Sequence, residues 1–127
     1  MDVIVDTNAL SALAENQPAL LREFSPDREI GIPVVVLGEF RFGIAQSRRR
    51  SEYEKWLNRV LAASIPVVID EQTAVTYAEI RVQLKLAGTP IPSNDVWIAA
   101  LCLQHGSPVL SRDRHFDRVT GIRRIGW

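Results

Sequence analysis

Short apolar runs alternate along the chain with longer segments of helical periodicity, and this alternation constrains the fold more than any other feature. Residues 3–5, Val-Ile-Val, form a β-branched run too short for a helix, and turn and cap residues follow at 6–8. Similar runs recur near 30–32, 66–69, 108–110 and 122–125. Since strands that alternate with helices form parallel sheets covered on both faces, the pattern predicts an α/β fold with a mainly parallel sheet.

The segments between these strands carry the expected helices. Pro33 cannot donate to a sheet ladder but suits the first turn of a helix, so we expect the second strand to end before it. Gly88 is expected to end the helix after the third strand. The predicted helices begin near Ala9 and then span 33–46, 49–63, 71–87 and 93–105. No repeat or linker interrupts this order, so residues 1–127 are expected to form a single domain.

Composition excludes several classes of protein. The chain is 46% hydrophobic and 24% charged, which is typical of a soluble globular protein and not of a disordered one. No apolar run approaches the roughly 20 residues of a transmembrane helix, and the first strand leaves no room for a leader peptide before residue 3. A single cysteine, Cys102, cannot form an internal disulfide. We therefore expect a cytoplasmic protein without a membrane segment.

The net charge is zero, which alone does not indicate a nucleic-acid substrate, but the distribution of charge does. If four acids are neutralised by a metal, the remaining 11 of the 15 acidic residues face 15 basic ones. Arginine can bind phosphate with two parallel hydrogen bonds. The clustered arginines of this chain could equally pair with glutamates such as Glu52 and Glu54. The clusters are Arg48-Arg49-Arg50, Arg112 with Arg114 and Arg118, and Arg123-Arg124.

Two aspartates follow predicted strands, where the ligands of parallel sheets bind. Asp6 ends the first strand, and Asp113 follows the strand at 108–110. Each could instead be an ordinary cap or turn residue. Thr7 and Asn8 could cap the first helix themselves, however, which would leave Asp6 free to bind a ligand.

Two further acids lie on helices. Glu39 has Val35 and Phe42 as helical neighbours, so its carboxylate is expected to project from a largely apolar stripe. Burying it there would require a cation or a partner, such as Arg41 or a distant arginine. Asp95 opens a helix whose apolar face is expected to turn inward. An alternative role for Asp95 is a favourable interaction of its carboxylate with the dipole at the start of that helix.

Together these four acids predict a divalent-metal site. Like charges brought close repel one another unless a cation is present, and oxygen-only ligands select Mg²⁺ or Mn²⁺ over zinc. Asp117 competes with Asp113 for the fourth position. His105 and His115 lack a helical metal-ligand spacing, so we expect them to be ordinary surface or packing residues.

Four motifs in order give the chain a family resemblance. They are VDTN at 5–8, VLGE at 36–39, NDVWIAA at 94–100 and LSRDRHF at 110–116. With this order and spacing, the chain resembles the PIN-domain nucleases, and in particular the VapC-type toxins of prokaryotic toxin-antitoxin pairs.

The resemblance implies a three-layer α/β/α fold and cleavage of RNA (tRNA, rRNA or mRNA) with Mg²⁺ or Mn²⁺. It matches Asp6, Glu39 and Asp95 to the metal-binding acids, with Asp113 as the fourth and Asp117 as its alternative. Thr7 and Asn8 would order the turn around Asp6, and Ser111 would help to orient the pocket. A cognate antitoxin and a second copy of the toxin are the implied partners.

The expected chemistry is attack of a metal-activated water on the scissile phosphate, which leaves a 5′-phosphate and a 3′-hydroxyl. One alternative is an RNA-binding or interaction domain of the same fold that has lost catalysis. Another is a phosphoryl-transfer domain with an aspartate nucleophile. Haloacid-dehalogenase-like phosphatases have a second aspartate at the position where this chain has Asn8. Receiver domains have a lysine after a later strand, whereas the two lysines of this chain are expected in helices.

Overall fold

A five-stranded parallel sheet forms the centre of the protein, as described for residues 1–25 and 27–127 by a computed structural model. The strands lie in the order β3-β2-β1-β4-β5, so β1 is central between β2 and β4. This confirms the predicted α/β class with helices covering the sheet. The strands are β1 (Val3–Val5), β2 (Ile30–Pro33), β3 (Ile65–Val67), β4 (Val109–Leu110) and β5 (Arg124–Ile125).

The helices agree with the sequence pattern within two residues, with one addition. The short helix α2 was not predicted, although Pro18 after Gln17 is a typical first-turn proline. A 3-10 helix, Arg114–Arg118, follows β4. The α-helices are α1 (Thr7–Ala14), α2 (Pro18–Glu23), α3 (Val34–Ala45), α4 (Arg50–Ala63), α5 (Glu71–Leu86) and α6 (Ser93–His105).

The strand at 66–69 was placed wrongly, because β3 ends at Val67. Its last partner is Pro33, where β2 gives way to α3, so the neighbouring strand has no backbone left to pair beyond Val67. Val68 and Ile69 therefore leave the sheet and are 59% and 38% exposed. The last strand is shortened from 122–125 for the same reason, since β4 offers only two residues to pair.

The core lies between the sheet and the helices and anchors the segments that carry the site. All three residues of β1 are fully buried, and so are the residues of α6 from Ala99 to Cys102. Cys102 is a free thiol. Within the part of the chain that the structure describes, no helix is both long and apolar enough to cross a membrane.

Candidate metal-binding active site

The carboxyl ends of the adjacent strands β1 and β4 place Asp6 beside Ser111. Asp6 is the N-cap of α1, where one carboxylate oxygen accepts a hydrogen bond of 2.8 Å from the backbone N–H of Ala9. Its other oxygen accepts a hydrogen bond from the Ser111 hydroxyl. Asp6 is 4% exposed and Ser111 is fully buried. The expectation that Thr7 or Asn8 would cap α1 is wrong. Asp6 is the single residue between β1 and α1, and it is therefore the N-cap.

Asp95 and Asp113 lie close together, with His115 between them. The His115 Nδ1 atom is 3.0 Å from Asp113 Oδ1 and 3.3 Å from Asp95 Oδ2. One ligand atom from each of the three residues lies within 4.8 Å of the other two. His115, which is expected from the sequence to be an ordinary surface or packing residue, thus contacts two of the four acids. The sequence feature that indicates this position is the spacing of His115, which lies two residues after Asp113 in the first turn of the 3-10 helix.

Glu39 reaches the site from α3, but not from a buried stripe. The buried face of α3 is formed by Val36, Phe40 and Ile44, and Glu39 is exposed. Its carboxylate accepts hydrogen bonds from the Thr7 hydroxyl at 2.8 Å and the Asn94 side-chain amide at 3.1 Å. The apolar-stripe argument thus described its setting wrongly, since these polar groups from two other helices orient it.

Thr7 and Asn94 connect Glu39 to two of the other acids through sequence neighbours. Thr7 follows Asp6, and Asn94 precedes Asp95, so the two donors to Glu39 come from the segments that carry two other acids. Asn8 is exposed and makes no side-chain hydrogen bond within residues 1–25 and 27–127. Asn94 belongs to the motif at 94–100, but the sequence alone does not indicate its contact with Glu39.

Asp117 forms an ion pair with Arg124. Its two oxygens accept hydrogen bonds from Arg124 Nε at 2.9 Å and Nη2 at 3.0 Å. Arg124 Nη1 also donates to the Ser111 carbonyl at 3.1 Å. The guanidinium of Arg124 holds the pKa of Asp117 below its usual value. Between the two candidates for the fourth acid, Asp113 is the one beside Asp95.

The arginine run at 48–50 is partly engaged in pairing within the chain. Arg49 pairs with Glu52 at 2.8 Å and Arg50 pairs with Glu54 at 2.8 Å, so these two arginines bind glutamates of α4. Arg112 and Arg114, which flank Asp113, are exposed and form no ion pair in the described part of the chain.

The cluster is electrostatically unfavourable without a cation. Burial raises the pKa of Asp6, with smaller contributions from Asp95 and Asp113, while hydrogen bonds from Ser111 and Ala9 oppose the shift. Burial also raises the pKa of Asp95, and the nearby Asp113 and Glu39 add to the shift, while His115 opposes it. A bound divalent ion would lower both pKa values, because its charge compensates for the lost hydration of the carboxylates and for their mutual repulsion. Four carboxylates are donors that fit Mg²⁺ or Mn²⁺.

Comparisons with known proteins agree with this geometry. The PIN domain family matches residues 3–122 of the chain. The chain belongs to the PIN-domain family. Among relatives of this PIN domain, Ribonuclease VapC4 of Mycobacterium tuberculosis is 36% identical over 114 residues, which cover 80% of this chain and 83% of that protein. The predicted family resemblance is thereby confirmed.

One sequence and one solved structure from Salmonella typhimurium extend the likeness over the length of this PIN domain. The tRNA(fMet)-specific endonuclease VapC is 28% identical, over 98% of this chain and 96% of that protein. The crystal structure of a DNA-bound VapBC has a TM-score of 0.86 and 26% identity, over 100% of this chain and 98% of that chain. The three-layer arrangement expected of the family is therefore present here.

Proposed function

We propose that residues 1–127 form one nuclease domain, a Mg²⁺- or Mn²⁺-dependent endoribonuclease that acts in the cytoplasm as the toxin of a type II toxin-antitoxin pair. The observation that supports this most is the proximity of four acids: Asp95 lies beside Asp113, both add to the effect of burial in raising the pKa of Asp6, and Glu39 does so for the pKa of Asp95. The four acids come from four segments far apart in sequence, and two of the aspartates are substantially buried. A purely structural role gives no reason for this proximity of like charges.

The four acids are the residues that would hold the metal, whose contribution is to activate water and to stabilise the leaving oxygen. The rest of the site keeps these acids in place. Ser111 orients Asp6 through its hydroxyl, and Thr7 and Asn94 orient Glu39. Fixed carboxylates favour catalysis because they need not reorganise as the reaction proceeds.

RNA is the proposed substrate, hydrolysed at its phosphodiester bonds in tRNA, rRNA or mRNA. The support is the family together with Arg112 and Arg114, two exposed arginines on either side of Asp113. These guanidinium groups would bind phosphates beside the site. A named relative is specific for tRNA(fMet), which makes tRNA the first substrate to test.

Two protein partners are proposed. The solved VapBC complexes support a cognate antitoxin that blocks the site. A second copy of the chain is proposed from the family resemblance, and it would cover some of the large apolar side chains that are exposed on α3 and α5. They are Val34, Phe42, Val75, Val82 and Leu86.

Cleavage of purified tRNA with and without EDTA tests the enzymatic proposal. We expect cleavage only with Mg²⁺ or Mn²⁺ and at least about a 100-fold loss of rate in Glu39→Gln, the scale on which positioned electrostatic groups act. Glu71→Gln, which changes an exposed glutamate in the first turn of α5, is the matched control and should keep full activity. RNA binding without cleavage at any metal concentration would instead support the alternative, a catalytically silent RNA-binding domain.

A further inference from the structure

His115 lies inside the acid cluster, in a position set by its own local structure. Asp113 is the N-cap of the 3-10 helix, and its carboxylate accepts a 2.9 Å hydrogen bond from the backbone N–H of His115. Phe116, the next residue, is fully buried and anchors the turn in the core. The imidazole of His115 is thereby held beside the same carboxylate that binds its backbone, at 36% side-chain exposure.

The distances around the ring suit neighbouring ligands of one ion. In an octahedral site with bonds near 2.1 Å, adjacent ligand atoms lie about 3 Å apart. His115 Nδ1 is 3.0 Å from an Asp113 oxygen and 3.3 Å from an Asp95 oxygen. One ligand atom from each of the three residues lies within 4.8 Å of the other two, which places all three within reach of one cation.

We infer that His115 Nδ1 is a nitrogen ligand of the metal site, and that it makes this site prefer Mn²⁺ over Mg²⁺. The inference rests on the proposed metal-dependent function and corrects the oxygen-only donor set that the sequence predicted. Imidazole suits transition metals, whereas Mg²⁺ demands oxygen ligands and gives up its waters reluctantly. A mixed set of carboxylates and one imidazole therefore favours the transition ion.

A simpler role for His115 would be to donate a hydrogen bond to the two carboxylates and hold them in position. That role predicts equal losses of Mn²⁺ and Mg²⁺ affinity when the ring is removed, because both ions use the same carboxylates. It also predicts no bond between the metal and nitrogen. The two roles are thus distinguished by measurements on the metal itself, without RNA.

The test is pulsed electron paramagnetic resonance of Mn²⁺ bound to the RNA-free protein. We expect electron spin-echo modulation from a coordinated ¹⁴N nucleus, which changes to the ¹⁵N pattern when the protein is made with ¹⁵N-histidine. His115→Ala should remove this modulation, while His105→Ala should keep it. His105 is the matched control because it is the chain's other histidine and ends α6, at the opposite end from Asp95.

Equilibrium metal binding gives the second measurement. Loss of an outer-shell group typically weakens metal binding 10- to 100-fold, so His115→Ala should weaken Mn²⁺ binding by at least about tenfold. The effect on Mg²⁺ should be clearly smaller. Wild-type protein with bound Mn²⁺ but no nitrogen modulation overturns the inference, even if the variant does not fold. Cleavage of tRNA by that same protein would leave the proposed function standing.

Discussion

The hydroxyl of Ser111 donates a hydrogen bond to the carboxylate of Asp6, although 105 residues separate the two in sequence. The same hydroxyl oxygen accepts a 2.9 Å hydrogen bond from the backbone N–H of Asp113. Ser111 thus joins the end of β1 to the end of β4 and sets the position of two acids at once. Its own carbonyl is held by Arg124, which extends the connection to β5.

Ser111→Ala is expected to lower both stability and metal affinity. The buried Asp6 carboxylate would lose its side-chain donor, which costs about 1–3 kcal/mol for a buried group left unsatisfied. Urea unfolding and Mn²⁺ titration measure the two effects. Ser107→Ala is the matched control, since Ser107 is also buried but donates no side-chain hydrogen bond within the described residues. Equal effects of the two variants would contradict the role of Ser111.

Asp113→Asn and Asp117→Asn should differ strongly in activity. Asp113 lies beside Asp95 and His115, so its neutral variant should lose at least about 100-fold in RNA cleavage. Asp117 lies in an ion pair with Arg124, so its variant should retain most of the cleavage rate. Initial rates at saturating Mn²⁺ make the comparison. A greater loss in Asp117→Asn would show that the fourth acid is misassigned.

Stabilisation by metal should depend on pH. Burial raises the pKa of Asp6 and Asp95 in the folded protein, so the folded, metal-free site binds more protons than the unfolded chain. As pH rises from the ordinary carboxyl range through their raised pKa values, these two groups therefore lower the free energy of unfolding. Below that range both groups are protonated in both states and have no such effect. Added Mn²⁺ needs the ionised carboxylates, so its stabilising effect should appear over the same window.

At 100 times its dissociation constant, a ligand of the folded state adds about 2.7 kcal/mol. We expect a stabilisation of this size by Mn²⁺ at pH 7.5 and little at pH 4, as measured by the free energy of unfolding. Asp6→Asn should reduce the difference between the two pH values. An increment that does not change with pH would mean that Mn²⁺ binds elsewhere.

Much of the fold could be predicted from the sequence because strand and helix signals are local. Residues 3–5 and 93–105 are recognisable from apolar runs and cap residues alone. The end of β3 is different, since it is decided by Pro33 on a neighbouring strand. The local pattern at 66–69 does not indicate where the neighbouring strand β2 ends.

From the residues alone the candidate site was predictable as a set of acids, and the supporting residues Thr7, Asn8 and Ser111 were expected only from the family resemblance. The four carboxylates stood out by type and by place relative to the strands, whereas their partners depend on tertiary contacts. Glu39 is oriented by Thr7 and Asn94 across two other helices. His115 enters the site through a 3-10 turn that no periodic pattern predicts.

The end groups of cleaved RNA test the central claim most directly. Wild-type protein with Mn²⁺ should produce fragments with a 5′-phosphate and a 3′-hydroxyl, because water and not the ribose 2′-hydroxyl is the expected nucleophile. Asp6→Asn should give no such fragments. Fragments that end in a 2′,3′-cyclic phosphate, or cleavage that persists in EDTA, would contradict a metal-dependent hydrolysis carried by these four acids.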